Sequence, residues 1–353
     1  MKNQTGPKNL SNWPDEDLEA VTRCPVCGSE RREVLHCGLT DRVFFCAPGT
    51  WDLFRCMGCN SAYLDPRPTP ASIGRAYSRY FTHSGEWREA PDDLSPLRKV
   101  LRALSNGYFN HRFGTDFTPA HPAGAWLALL APWKRGELES AGRHLPKAEP
   151  GQTLLDVGCG NGIFLEFARR AGWQAQGIDF DAEAVACCTR KGLNVKVGGI
   201  DALCDQAECF DWITLSHVIE HVHDPVAVLR ACHRLLKPGG GLWIETPNLD
   251  ALGHHDFGPN WHALDSPRHL ILFTRSGLIE TLLATGFRGI ADTSFRPLYR
   301  DLASKSQAIA EGRDPYQVPA PRMPSLRSLI ADWRGRQNPS LREFVSLTAR
   351  KPA

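Results

Sequence analysis

Long hydrophobic runs are missing from this 353-residue chain. AWLALLA at 125–131, the longest in the first half, falls far short of the roughly 20 residues a bilayer-spanning helix needs. It reads as a helix packed on the protein. The first twenty residues hold no apolar stretch that could serve as a signal peptide, so a cytoplasmic protein without a membrane partner is expected. Charge of one sign is missing too: 41 Lys and Arg face 39 Asp and Glu, which gives no field to attract nucleic acid or another polyanion. Internal repeats and low-complexity tracts are absent, which excludes solenoid and fibrous architectures. A disulfide framework is not expected in so long a chain without a leader, although it holds twelve cysteines. Reduced thiols and metal ligation fit better.

Proline marks the seams. Asp65-Pro66-Arg67-Pro68-Thr69-Pro70 forbids a regular element and suits a stiff connector. The expected organisation is a loose tail over 1–20, a cysteine-bearing module over 21–66, a helical connector or substrate lid over 67–149, and an α/β domain over 150–353. In the last, β-prone runs alternate with helical patterns: TLLDV, AQGID, NVKVG, DWITLSH, GLWIETP, GIADTSF and finally REFVSLTAR. An irregular or helical insertion is expected over 299–342.

The strongest signal is the loop 154–162, LLDVGCGNG, which follows a β-prone run and opens a helix with one apolar face. Glycines at a strand-to-helix turn let the backbone approach a ligand and leave helix N–H groups free for it. Spaced glycines alone also suit a dinucleotide. Asp156, however, stands where it could meet an ammonium group, and Asp179 closes the next strand, where a carboxylate can accept from ribose hydroxyls.

On these residues the chain resembles the class I S-adenosylmethionine-dependent methyltransferases, in particular the ubiquinone-biosynthesis-like group. The resemblance covers about 151–274. It implies a Rossmann-like seven-stranded sheet with helices on both faces, and S-adenosylmethionine converted to S-adenosylhomocysteine. It further implies that the loop from Asp156 through Gly158, Gly160 and Gly162 holds the methionine part, Asp179 the ribose, and Asp201 with Ala202 the adenine. Phe180 and Ser216 complete the candidate set.

His217-Val218-Ile219-Glu220-His221 reads H-x-x-E-H, the pattern of an inverted zinc-protease helix. Here it follows directly on a strand, at the edge where open α/β sheets bind ligands, so metal binding is not expected. His217 and His221 are instead candidates to accept a proton from the methyl acceptor. His262, in the long link between Pro247 and Thr274, is the third, with Trp261 as a wall and Arg268 and His269 as contacts or fold-keepers.

Cys24-x-x-Cys27 and Cys56-x-x-Cys59 are two knuckles 28 residues apart, suited to tetrahedral structural zinc with an inserted hairpin. Cys37 and Cys46 are substitute ligands or packing residues, and the six later cysteines look like small core residues. Methyltransferases of natural-product and surface-sugar pathways resemble this arrangement, including a tyrosine-rich stretch like residues 77–83. A small or carrier-linked acceptor follows, with O- or C-methylation favoured, such as a sugar. The alternatives are RNA or protein methylation, with the cysteine module as reader, and a non-catalytic cofactor-binding protein.

Overall fold

In the computed structural model, residues 12–78, 95–319 and 323–353 are described. Most of the 1–20 tail and residues 79–83 of the tyrosine-rich stretch lie outside them. The chain opens with β1 (Leu18–Glu19), β2 (Arg32–Leu39), β3 (Trp51–Cys56), β4 (Ala62–Leu64) and β5 (Arg67–Pro68). β2, β3 and β4 form an antiparallel meander, and the β2–β3 hairpin fills the gap between the cysteine knuckles. β1 and β5 pair with each other. Helices α1 (Pro96–Phe113), α2 (Gly124–Leu130) and α3 (Pro132–Ala141) follow. α1 and α3 each begin on proline, whose missing N–H costs nothing in a first turn.

The α/β part runs β6 (Thr153–Val157), α4 (Ile163–Arg170), β7 (Gln174–Asp179), α5 (Ala182–Arg190), β8 (Asn194–Val197), β9 (Phe210–Ser216), α6 (Pro225–Leu235) and β10 (Leu236–Pro247). It continues with α7 (Leu252–Phe257), β11 (Ile271–Leu272), α8 (Arg275–Ala284), β12 (Arg288–Asp292), α9 (Tyr299–Ala310), α10 (Leu326–Gln337) and β13 (Phe344–Arg350). The seven-stranded sheet has the order β12-β13-β10-β9-β6-β7-β8, with β13 alone reversed. Leu154 to Val157 are all buried, as expected of a parallel strand covered on both faces. Side-chain caps start the helices: Asp181 accepts from Glu183 and Ala184, Asp224 from Ala227, and Thr274 from Gly277. No helix among the described residues is long and apolar enough to cross a membrane.

β11 stands outside the large sheet. It pairs antiparallel with β4, Ile271 opposite Tyr63 and Leu272 opposite Ala62, so the link after β10 supplies the fourth strand of the cysteine module. One hydrophobic cluster runs from Trp51, Leu53 and Tyr63 through Ile271 and Phe273 to Ile213 and Ile244. Module and α/β domain therefore share a core.

An ion cluster ties the same parts together. Arg268 is fully buried; its guanidinium donates to Asp41 (2.5 Å), Asp265 (2.6 Å) and the carbonyl of Ala76 (2.9 Å). Asp41 also accepts from the N–H groups of Val43, Phe44, Cys46 and Ala47, shaping the β2–β3 loop around itself. Despite burial, which pushes it up, the Arg268 guanidinium and these N–H donors hold the Asp41 carboxyl well below its ordinary range.

Candidate functional site

At the carboxyl edge of β6, β9 and β10 opens a cavity of about 560 Å³. The glycine loop contributes Cys159 and Asn161 to its wall, β9 contributes Ser216 and His217, and β10 contributes Glu245. The long link adds His262 and His269, and α9 adds Asp301 and Lys305. Open parallel sheets bind ligands at this edge, outside the strand ends.

Gly158, Gly160 and Gly162 all have positive φ (69°, 51° and 78°), the left-handed region in which a side chain is strained. At Gly162 a Cβ would stand 2.4 Å from Leu193 Cδ1, so glycine there lets α4 pack. At Gly160 a Cβ would meet nothing within 4 Å. At Gly160 the loop thus presents bare backbone to open space, and Asp179 steadies it by accepting from Gly160 N (2.7 Å) and Asp181 N (2.9 Å). Phe180 is 77% exposed beside Gly199, and Asp201 and Ala202 stand exposed in the 3-10 turn after β8.

Asp156 differs from its expected place. It is fully buried, outside the cavity wall, with one carboxylate oxygen taking hydrogen bonds from Arg143 and Thr214, and burial pushes its pKa up to about 6. Its other carboxylate oxygen is buried without a hydrogen-bond partner among the described residues. Arg143, which no motif marked, takes the place beside the loop, with its guanidinium carbon 4.0 Å from the Phe164 ring centre.

The three histidines have different surroundings. His217 has positive φ (53°) and sits with Nδ1 3.2 Å from Glu220 and Nε2 3.5 Å from Glu245. Burial pushes its pKa down, but the two carboxylates outweigh that and raise it to about 9, so the ring is a cation at neutral pH. His221 has Nδ1 3.0 Å from the Arg268 carbonyl and 2.9 Å from the Tyr77 hydroxyl, and burial with the nearby His269 lowers its pKa to about 4. His262 is lowered to about 4, chiefly by burial, and its Nε2 is buried without a hydrogen-bond partner among the described residues.

The His217 clamp has a pH signature. Because the folded pKa of His217 is raised, its contribution is complete below the ordinary 6.5 and fades as pH rises through about 9. Glu220 and Glu245 are lowered to about 2, so their part is complete above the ordinary 4.5 and fades as pH falls through about 2. Urea titrations of wild type and His217→Gln should differ most between about pH 4.5 and 6.5 and converge above about 9. A difference independent of pH would contradict the clamp.

Trp261 is core rather than wall: it is 1% exposed and its Nε1 donates to Glu343 (3.1 Å). His269 lines the cavity, while its Nδ1 pairs with the Ala263 carbonyl (2.8 Å). Phe44, Arg296, Lys305 and Tyr316 also line the cavity without having been legible in the sequence.

In the module, the sulfurs of Cys24, Cys27, Cys56 and Cys59 lie within 4.8 Å of one another, with Cys24–Cys59 at 3.7 Å and Cys27–Cys56 at 3.5 Å. Four thiolates about 2.3 Å from a zinc ion would be about 3.8 Å apart. The arrangement fits that ion. Cys37 is exposed rather than packed inside, Cys46 donates to the Ala76 carbonyl, and Cys204 is exposed rather than core.

Doubly wound topology, a glycine loop after the first parallel strand and a cavity at its tip define a Rossmann-like cofactor-binding domain. Residues 134–291 match the family profile described as a methyltransferase domain. The mouse mitochondrial ubiquinone biosynthesis O-methyltransferase is 35% identical over 168 residues, 44% of each chain. That from Xanthomonas oryzae is 41% identical over 105 residues, 28% of this chain and 44% of the relative. The chain thus spans less than half the length of these relatives. A solved S-adenosylmethionine-dependent methyltransferase from Archaeoglobus fulgidus superposes with a TM-score of 0.44 at 21% identity, over 64% of this chain and 99% of that one. Residues 134–291 are thus similar to methyltransferase domains, and the stretch shared with the two ubiquinone biosynthesis O-methyltransferases is the similarity at hand.

Proposed function

We propose that the protein transfers a methyl group from S-adenosylmethionine to a small or carrier-linked acceptor at an oxygen or carbon atom, such as that of a sugar or natural-product intermediate. The observation that carries this is the joining, in one cavity, of the glycine loop and a neutral imidazole, that of His262, whose Nε2 has no hydrogen-bond partner among the described residues. On this reading the backbone of Gly158, Gly160 and Gly162 and the hydroxyl of Ser216 border the donor's methionine portion, and Arg143 receives its carboxylate. Asp156 acts at one remove, by orienting Arg143. Asp179 meets the ribose, and Phe180, Asp201 and Ala202 border the adenine. An acceptor lone pair forms the new bond to the methyl carbon while the carbon–sulfur bond breaks toward sulfur. The acceptor proton passes to His262. In-line alignment within the cavity supplies much of the acceleration.

The cysteine module favours a small acceptor over RNA or protein, because its Phe44 lines the cavity and β11 binds it to the domain, unlike a free-standing reader. The test uses S-adenosylmethionine labelled in the methyl group, added to the protein with a cell extract. Label in the small-molecule fraction supports the reading; label in RNA or protein overturns it.

The four module cysteines are proposed to hold one structural zinc ion. Metal analysis should find one equivalent in wild type and a large loss in Cys24→Ser, with the β2–β4 meander unfolding on chelation. Less than about half an equivalent, or unchanged zinc in Cys24→Ser, would remove the metal.

A further inference from the structure

Large apolar side chains stand exposed on four helices. Eighteen are exposed among the described residues, and ten of them lie on four helices. Leu97, Val100 and Leu101 on α1, Trp126 and Leu130 on α2, and Trp133 on α3 form the first group, each at least 48% exposed. Leu326, Leu329, Ile330 and Trp333 on α10 form the second, spaced i, i+3, i+4 and i+7 along one face. On α1 the stripe of Leu97, Leu101 and Leu104 enters the core at Tyr108 and is bare at its N-terminal half.

Helices α3 and α10 both pack against Phe295. α2 packs on α1 so closely that a Cβ on Gly124 would sit 2.0 Å from the Leu104 carbonyl oxygen. The Phe295 carbonyl oxygen lies 1.8 Å from where a Cβ of Gly136 on α3 would be, and the Phe295 ring 3.2 Å from that of Gly335 on α10. The next residue, Arg296, lines the cavity. α3 and α10 therefore flank the cavity rim.

Charge selects the occupant. α1 carries Arg98, Lys99 and Arg102 at its bare end with no acidic residue, and α2 has no charged residue. On α3, Lys134 and Arg135 are balanced by Glu137 and Glu139, the latter also pairing with Arg112 of α1, while α10 has Arg334 and Arg336 against Asp332 and its Arg327 pairs with Asp256. Two copies of α1 face to face would oppose like charges with no acid in the helix to pair them. Exposed tryptophan and leucine beside arginine and lysine match the interfacial layer of a bilayer, where rings enter the headgroup region and basic heads stay with anionic lipid. We propose that α1–α3 and α10 form a surface that seats the protein on an anionic lipid bilayer, next to the cavity rim. It is a surface contact and needs no spanning helix, so it refines the expectation of no membrane partner. It does not depend on the identity of the methyl donor.

The test is flotation of the full chain with phosphatidylcholine vesicles, with and without phosphatidylserine. Wild type should float with the anionic vesicles and little with phosphatidylcholine alone. Each basic residue near the surface is worth about fivefold, so Arg98→Gln/Lys99→Gln/Arg102→Gln should bind about a hundredfold more weakly. Trp126→Ser/Trp133→Ser should weaken binding at high salt as well as low. Unfolding midpoints like that of wild type establish that these variants fold. Failure of wild type to float, equal flotation of the triple variant, or a dimer in sedimentation that the tryptophan variant disrupts would each overturn the proposal.

Discussion

Arg268→Ala is expected to destabilise the protein by about 3–5 kcal/mol, the cost of leaving buried carboxylates without their partner. Asp41 and Asp265 both turn to this guanidinium in a site with no solvent exposure at Arg268. The Ala76 carbonyl and the Phe44 ring, 4.6 Å from the guanidinium carbon, lose their contact as well. Arg268→Lys should recover little, since one ammonium cannot reproduce the fork that meets both carboxylates. Urea unfolding monitored by tryptophan fluorescence checks this. A loss under about 1 kcal/mol would mean that the cluster does not hold module and domain together.

His262→Ala is expected to lower kcat by about 10²–10⁴-fold, the usual contribution of a positioned general base. Binding of S-adenosylmethionine should be nearly unchanged, because the ring stands on the link after β10 and not on the glycine loop. His217→Gln provides the contrast: its ring is held as a cation between Glu220 and Glu245, so its loss should show in stability more than in proton transfer. Equal kcat for wild type and His262→Ala at every pH would remove the base from the scheme and leave alignment alone.

The parts of the fold written in local pattern were legible. TLLDV, DWITLSH and GLWIETP read as strands because parallel strands buried on both faces are continuous apolar runs, and each glycine of 158–162 marked a turn that only glycine makes cheaply. Partnerships far apart in sequence were not legible. Asp41 and Arg268 are 227 residues apart, and nothing in Arg268 itself names a buried carboxylate in the cysteine module. β11 is two residues long, too short for any periodicity, yet it joins the module to the domain. Arg143 was hidden in a helical connector, and nothing in the spacing of the loop pointed to its pairing with Asp156. The histidines were found by residue type, but only their neighbours distinguish the cation at 217 from the neutral ring at 262.

Binding of S-adenosylmethionine by the glycine loop and Asp179 is measured by calorimetric titration of wild type and Asp179→Ala. Wild type should bind one equivalent. Removing the carboxylate takes away a charged acceptor and loosens Gly160, so the variant should bind about 10- to 150-fold more weakly while folding normally. No heat of binding in wild type, or equal affinity in Asp179→Ala, would contradict the account.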